Sequence, residues 1–465
     1  STYNLFFVMN DTLNFESTDC NFLEPKVIDD FIKLLDKKNI NKISKKIKLL
    51  HPSQVAAYLQ ILNLDQRKKF LKILKKDFDV QIFAELEISF LEKIIDEFDF
   101  NILLKAINEL DSDDAVSIIE ILDEKKRQEI LVQIPDRYRI FIEDNLNYPE
   151  NTAGRLMQFE VVKVLYTSNV GDVIDLLRKS KDLPKVFYEI YVIDINDTLI
   201  GTVLVSQILT HKRSIKISKI MKFDQFSVHV NMDQEDVADF FRKRNLTSAA
   251  VINDKKKLIG SIYIDDIVDV IDTEAEEDLL KLGGVGEQNF YDAIISVTKA
   301  RFTWLMFNLV AAFAASMVIK NFEESIEKLA LLAVLMPVIA SMGGCSGTQS
   351  LTTAVRAIAM KQLTWSNAFR ATGKEVIVGM LNGLIFSILS AVVTFYWFSD
   401  YLISLIISFS LLLNLVFGSF FGTFIPIILT RFGVDPAIAS GTFVTMLTDI
   451  FGFFMFLSLA TVYLI

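Results

Sequence analysis

The sequence predicts a multidomain chain: an all-α N-terminal part, a repeated α+β part, an acidic connecting helix, and an α-helical membrane domain with five transmembrane helices. Three observations predict it. The 465 residues are 51% hydrophobic yet carry a formal net charge of −10, a combination that does not suit one kind of domain. The two properties separate along the chain: residues 299–465 hold nine Lys/Arg and seven Asp/Glu, a net of +2, whereas residues 1–298 hold 39 and 51, a net of −12. The second part also contains five long runs almost free of charge. Length allows about three domains, and 38 Phe exclude a disordered chain.

Composition removes several function classes. Cys20 and Cys345 lie too far apart in sequence to suggest a disulfide framework, which points to a reducing compartment for the soluble part. His51, His211 and His229 are too few for a His-built metal enzyme. The acidic balance argues against a nucleic-acid partner and favours cations. No P-loop G-x-x-x-x-G-K-[ST] occurs, against an ATP-driven pump, and no Ser–His or Cys–His set stands out, against a hydrolase. The chain reads as a protein that is not an enzyme.

Residues 1–24 are polar and irregular, without the charged and apolar regions of a signal peptide, and read as a flexible N-terminal arm. Residues 25–148 read as a helical domain of short amphipathic helices at 27–35, 53–62, 66–74, 88–98, 100–110, 113–122 and 125–134. Pro52-Ser53, Ser112-Asp113 and Pro135-Asp136 mark helix starts, where a short polar residue can cap free amides. The helices recur loosely in pairs, which fits a small solenoid or an ordinary bundle.

From Tyr148-Pro149 the texture changes, and residues 149–272 read as two alternating units. The first has a helix at 170–180, a strand at 189–194, a turn at Asn196-Asp197, a strand at 199–205 and a helix at 206–210. The second has a helix at 233–244, a strand at 249–252, a turn at Asn253-Asp254, a strand at 258–264 and a helix from Asp265. Leu199-Ile200-Gly201 corresponds to Leu258-Ile259-Gly260, so the unit repeats, and such units pair because one alone buries too little surface. The order resembles tandem CBS domains, regulatory modules that bind nucleotides or ions. Residues 265–278 then carry eight acids in 14 positions, a density that favours bound cations or an open structure. Residues 273–299 complete an acidic junction, with Gly283-Gly284 and a helix from about Asp292 leading into the first span.

Residues 300–465 read as the transmembrane domain. The apolar runs cover 302–319, 329–355, 376–399, 401–430 and 436–465, each long enough to cross a hydrocarbon core that takes about 20 residues. Lys299, Arg301, Arg356, Lys361, Arg370, Lys374 and Arg431 fall on one side of these runs. By the positive-inside rule that side, with the N-terminus, is cytoplasmic and the C-terminus is outside, in a cell (inner) membrane.

Two features carry chemistry. Asp449 stands mid-way along the last run, thirteen residues from Pro436 and sixteen from Ile465, where a charge costs about 2.5–3.5 kcal/mol on insertion scales. Thr445, Thr448 and Gly452 make its helix face polar or small, a face that can line a hydrated path. The stretch from Pro337 to Gln349, with Gly343, Gly344 and Gly347, predicts a broken or closely packed helix whose freed carbonyls can face ions. One carboxylate per chain, doubled at a two-fold axis, suits hydrated Mg²⁺ better than Zn²⁺, which wants His or Cys.

With these motifs in hand the chain resembles the MgtE family of magnesium transporters from about residue 25 onward. The resemblance is carried by Tyr148-Pro149-Glu150-Asn151-Thr152-Ala153-Gly154-Arg155, by Glu274-Ala275-Glu276-Glu277-Asp278, by Pro337 to Gln349, and by Asp435-Pro436-Ala437 with Leu447-Thr448-Asp449. It implies a homodimer in a lipid bilayer that takes up Mg²⁺ past Asp449, with Thr445, Gly452, Gly344 and Cys345 also at the pore. It implies regulatory Mg²⁺ held among Asp233, Glu235, Asp266, Asp269, Glu274, Glu277 and Asp278, and a connecting helix that plugs the pore when cytosolic Mg²⁺ is plentiful. Three positions depart from the family pattern. Cys345 stands where Asn is usual, which keeps Mn²⁺ or Co²⁺ as alternative cargo. Asn245 replaces an acid of the second CBS unit. Ser206-Gln207 replaces a charged pair, which weakens the case for an adenine nucleotide at the CBS pair. A membrane-tethered cation sensor without transport is the alternative from another class.

Overall fold

The apolar spacing of the first 150 residues is realised as stacked short helices. The computed structural model describes residues 25–36, 43, 47–48, 50–75, 78–180, 183–223, 227–285, 294–438 and 441–464. The N-terminal arm, Cys20 and Asp292 lie outside them. The chain divides into two units, Ser1–Val270 and Ile271–Ile465.

The helical domain contains α1 (Pro25–Asp36), α2 (Pro52–Ile61), α3 (Leu64–Leu74), α4 (Gln81–Ala84), α5 (Ile88–Ile94), α6 (Phe100–Glu109), α7 (Ser112–Ile121), α8 (Glu124–Leu131) and α9 (Asp136–Leu146). One apolar core runs through them, including Phe31, Phe70, Leu103, Ile119 and Ile130. A helix pair is repeated. Arg67 of α3 donates to the carbonyls of Leu59 and Leu62 at the end of α2, each at 3.1 Å. Arg127 of α8 donates likewise to Ile119 and Leu122 at the end of α7, at 3.1 and 3.2 Å. Asn63 and Asp123 cap the second helix of each pair by accepting from the Gln66 and Lys126 amides. Two carbonyls left free at a helix end are thus satisfied twice by the same device, which favours stacked pairs, as in a solenoid, over an irregular bundle.

The helices start where expected, at Pro52, Ser112 and Asp136, but their caps differ. At α2 the cap is His51, whose Nδ1 accepts from the Ser53 amide while Gln54 Oε1 accepts from the His51 amide. At α7 and α9 the N-cap residues, Asp111 and Pro135, make no side-chain capping bond. Ser112 instead donates to Glu160 Oε2 at 2.7 Å and accepts from the Phe159 amide, tying α7 to the segment that leads into the first sheet.

The repeat is two copies of one small α/β unit. After α10 (Ala153–Leu156), the first contains β1 (Lys163–Leu165), α11 (Val170–Lys179), β2 (Glu189–Ile193), β3 (Leu199–Leu204) and α12 (Val205–Thr210). The second contains β4 (Ser227–His229), α13 (Gln234–Arg244), β5 (Ser248–Ile252), β6 (Leu258–Tyr263) and α14 (Ile264–Leu282). In each sheet the first strand pairs parallel to the second, and the second antiparallel to the third. Even the register irregularity recurs, at Val192/Ile193 and Val251/Ile252. Tyr191, Ile193, Leu199, Ala250 and Leu258 pack between the copies. The Leu199 amide donates to the Lys256 carbonyl and the Leu258 amide to the Asp197 carbonyl, each at 3.1 Å, a two-fold exchange between equivalent turns. Strands β1 and β4 were not foreseen; three residues are too few to show an alternation.

The second unit holds α15 (Ile294–Lys320), α16 (Glu323–Lys328), α17 (Leu331–Ala359), α18 (Ala368–Phe398), α19 (Tyr401–Arg431) and α20 (Gly441–Leu464). All but α16 are long and apolar enough to cross a membrane. Helices α17, α19 and α20 pack together through small residues, while α15 and α18 leave most of their apolar surface exposed in the single chain. Of the two alternatives for Pro337 to Gln349, close packing is the one realised: Pro337 sits inside one continuous α17, and the glycines serve close approach. The helix expected from Asp265 forms and carries the whole acidic run of residues 265–278 within α14, which extends past the expected boundary at 272/273.

Candidate functional site

Close approach of α17 to α20 creates the site. A Cβ on Gly344 would meet Thr445 Cγ2 at 2.9 Å, and one on Gly418 would meet the Gly343 carbonyl at 2.8 Å. A Cβ on Gly422 would overlap the Gly347 carbonyl. Ser346 Oγ bonds the Leu415 carbonyl at 3.1 Å and Ser419 Oγ at 2.9 Å. Small residues and interhelical hydrogen bonds are how apolar helices associate without a hydrophobic force between them.

The face left open is a cleft of about 500 Å³. Helix α17 lines it with Ala340, Ser341, Gly344, Cys345, Thr348 and Gln349, and α20 with Thr445 and Asp449. Among the described residues, Asp449 is the only carboxylate on the lining. Of the sequence-derived pore residues, Asp449, Thr445, Gly344 and Cys345 therefore share one surface. Gly452 does not: it faces the buried amide of Asn414, which a Cβ would meet at 2.6 Å. Thr448 is also turned inward, fully buried, with its hydroxyl donating to the Thr445 carbonyl at 2.9 Å.

The acids divide into separate groups. In the first unit, Gln158 Nε2 donates to Asp113 Oδ2 of α7 and to Asp266 Oδ2 of α14, both at 3.3 Å. Asp113 Oδ1 is buried without a donor from another residue type, and the Asp113 and Asp266 carboxyls lie close enough to share a hydrogen bond when one holds a proton. Burial pushes the Asp113 carboxyl up to about 6, against the pull of Gln158. Burial, and then the Asp113 charge, raise Asp266 and Asp114 further. Burial raises Glu160 as well. Asp269 adds to the negative field on Asp114. This is a concentration of carboxylates that resist ionising together. Asp233 and Glu235 stand at the exposed start of α13, where Asp233 Oδ1 accepts from the Glu235 amide at 2.9 Å. Asn245 ends that helix in the left-handed region with φ 51°, a position that suits Asn better than a longer acid.

In the second unit, Lys281 of α14 pairs with Glu277 and donates to Asp435 Oδ2 at 2.6 Å. Burial works against the ammonium, but bonds to Asp435 and Glu277 hold its pKa above the usual lysine value. Asp278 is pushed up to about 6 by burial and by the Asp435 charge, with Glu274 and Glu277 adding to it. Leu282 packs beside Leu351, Val355 and Val444, so the end of α14 docks on α17 and α20.

Among the described residues, no three His, Cys, Asp or Glu side chains converge as a direct metal-ligand set. One carboxylate in a roomy cleft instead suits an ion that keeps its water. Sequence reasoning missed Asp113, Asp114 and Glu160, although Asp111-Ser112-Asp113-Asp114 is visible as an acidic start, because the stretch was read only as a cap. It also missed Lys281, Asp435 and Asn414 as functional residues.

A divalent cation transporter family, MgtE, matches residues 336–459. The MgtE intracellular N domain matches 50–151 and the CBS domain matches 217–273. The chain is 32% identical over 327 residues to the magnesium transporter MgtE of Thermus thermophilus, covering 70% of this chain and 72% of that one. It is 30% identical over 323 residues to the magnesium transporter MgtE of Enterococcus faecalis, covering 70% and 71%. Among solved structures, the soluble part of a magnesium transporter is 24% identical at a TM-score of 0.45, over 53% of this chain and 98% of that one. The cytosolic domain of the Mg²⁺ channel MgtE in complex with ATP is 23% identical at a TM-score of 0.47, over 51% and 97%.

Proposed function

This chain belongs to the MgtE family, and on that premise we propose that it is a Mg²⁺-selective channel or transporter for Mg²⁺ influx. Ions pass the cleft beside Asp449, and cytosolic Mg²⁺ held at the acidic groups shuts the path. The observation that carries the reading is the cleft itself, one carboxylate on an otherwise uncharged wall between two membrane helices. Six waters occupy roughly 180 Å³ at about 30 Å³ each, so a cleft of about 500 Å³ has room for a hydrated ion. Asp449 attracts the cation through that water, and Thr348, Gln349 and Thr445 offer polar atoms to it. A divalent cation moving inward gains about 4.6 kcal/mol per 100 mV, twice the single-charge value.

The functional unit we propose is a homodimer. The exposed apolar faces of α15 and α18 meet lipid or a second copy, and a second copy brings a second Asp449 to the path. The N-terminal unit lies in the cytoplasm and the C-terminus outside, a reading that the distribution of basic residues supports. Residues 25–148, 149–272, 273–299 and 300–465 act as helical, CBS, connecting and pore segments. For the regulatory Mg²⁺ we choose Asp113, Asp114, Asp266 and Asp269, with Glu274, Glu277 and Asp278 in the connecting segment and Asp233 and Glu235 at α13. The buried Asp113 and Asp266 carboxyls, side by side with only the neutral Gln158 amide bridging them, are what a cation would neutralise there. A bound divalent cation supplies the countercharge that lets several carboxylates ionise side by side. We leave an adenine nucleotide out, because Ser206-Gln207 offers no charged pair.

The test is Mg²⁺ uptake into liposomes holding the purified full chain. Asp449→Ala is expected to abolish uptake while the dimer still assembles, and normal uptake by that variant refutes the reading. Cys345 on the lining favours one second reading, Mn²⁺ or Co²⁺ as cargo, and competition among divalent ions in the same assay separates the two.

A further inference from the structure

Behind the cleft, α19 places an amide where an apolar side chain would be expected. Asn414 is fully buried among apolar helices, with Ile407, Leu411 and Leu415 on its own helix also buried. Its Nδ2 donates to the Ile339 carbonyl at 2.9 Å, whereas its Oδ1 has no partner. Two glycines make room for it. A Cβ on Gly343 of α17 would overlap the amide, and one on Gly452 of α20 would meet Nδ2 at 2.6 Å and Ile339 Cγ2 at 2.8 Å. The amide is thus seated between the two helices that form the cleft, on the side away from it.

The neighbours of these contacts are the cleft's own residues. Ile339 precedes Ala340, Gly343 precedes Gly344, and Gly452 lies three residues after Asp449, nearly one helical turn. Ala340, Gly344 and Asp449 line the cleft. A shift of the amide therefore moves both walls together. Packing alone does not account for the residue. A leucine has similar volume and would leave no buried carbonyl unsatisfied, while an interhelical hydrogen bond in a membrane returns little on average.

We propose that Asn414 is a positioning residue: its amide, wedged between Gly343 and Gly452 and bonded to the Ile339 carbonyl, fixes the distance and register between the α17 wall and the Asp449 wall, and so sets ion selectivity. The inference rests on the cleft being the ion path. It makes Asn414 act through Asp449 and Gly344 rather than by touching the ion.

The test uses the full chain in liposomes, with Mg²⁺ and Co²⁺ uptake measured over a range of concentrations and thermal melting measured in detergent. Asn414→Leu is expected to melt near the parent temperature yet lower the Mg²⁺ over Co²⁺ preference at least tenfold, with the concentration for half-maximal uptake also changed. Gly343→Ala, which displaces the amide without removing it, and Asn414→Ser, which removes the amide without adding bulk, are each expected to give the same selectivity loss. If Asn414→Leu does not fold, the Gly343→Ala and Asn414→Ser variants decide the matter. Unchanged selectivity and half-maximal concentration in folded Asn414→Leu or Gly343→Ala would overturn the proposal. Asp449→Ala is run alongside. Normal uptake by Asp449→Ala sinks the ion-path reading itself, whereas a dead Asp449→Ala beside an unaltered Asn414→Leu sinks only the role of Asn414.

Discussion

Replacing Asp113 by Asn is expected to stabilise the ion-free protein at neutral pH. In the folded state the carboxyl is pushed from 3.8 up to about 6, chiefly by burial. At 1.36 kcal/mol per pH unit, keeping it ionised costs about 3 kcal/mol. The substitution forfeits a favourable charge in the first turn of α7, worth about 0.3–1 kcal/mol. Asn retains an oxygen for the bond from Gln158 Nε2. The net is about 2 kcal/mol in favour of Asp113→Asn above pH 7. The sign follows from linkage. A carboxyl whose folded pKa is raised contributes stability that is fully present below its unfolded pKa and lost as pH rises through the folded one. The gap between parent and variant should therefore open between pH 4 and pH 7 and close below it. Hydrogen exchange of the α7 amides in the full chain, with EDTA and then with Mg²⁺, measures this. About 2 kcal/mol slows exchange roughly thirtyfold in the ion-free variant. The Mg²⁺-induced protection should shrink by a similar factor. An ion-free variant exchanging as fast as the parent at pH 7.5, or a gap independent of pH, would refute the reasoning.

Three further outcomes are expected. Modification of Cys345 by a water-soluble methanethiosulfonate, in a Cys20→Ser background, should reduce Mg²⁺ uptake, with external Mg²⁺ slowing the reaction, because the thiol is exposed on the cleft. A double-mutant cycle of Lys281→Met and Asp435→Asn, read by thermal melting, should give a coupling of about 1 kcal/mol, modest because both groups keep some solvent. Gly422→Ala should destabilise by about 1–3 kcal/mol in the same assay, since its methyl meets backbone of Gly347 rather than a side chain that can turn away.

The fold was largely legible because its signals are periodic. The five apolar runs became the five long helices, and the Leu-Ile-Gly repeat became β3 and β6 of two matched sheets. Where two local readings were open, packing decided. Pro337 allows a break or close packing, and one lost backbone bond is outweighed by the packing of Gly343, Gly344 and Gly347 along an unbroken α17. The eight acids of residues 265–278 allow an ion-holding or an open segment, and Ile267 and Val270 anchor them on α14 in the second CBS core. Of the proposed pore residues, Asp449 was legible because a deep acid is costly wherever it lies. Gly452 and Thr448 were placed on the same face by helical spacing alone, and spacing cannot say which side of a helix a neighbour covers. Asn414 gives no sequence signal beyond one amide in an apolar run; only the two glycines seated against it show its place.

The two acidic groups differ in how their charge is balanced, and that difference predicts where ion sensitivity resides. In the connecting segment the chain supplies its own cation: Lys281 bonds Asp435 and Glu277, so a divalent ion arriving there must compete with an ammonium already in place. At Asp113 and Asp266 the shared donor is the neutral amide of Gln158, and Lys185 stands at the rim, 3.8 Å from Asp111. The buried group therefore remains short of positive charge, and Asp266 keeps a proton at neutral pH that a divalent cation can displace. Loss of cytosolic Mg²⁺ should accordingly loosen the α7–Gln158–α14 contact first, with the Lys281 contact responding later and less. Lowering the pH should substitute in part for Mg²⁺ at the first group, because protons relieve the same repulsion.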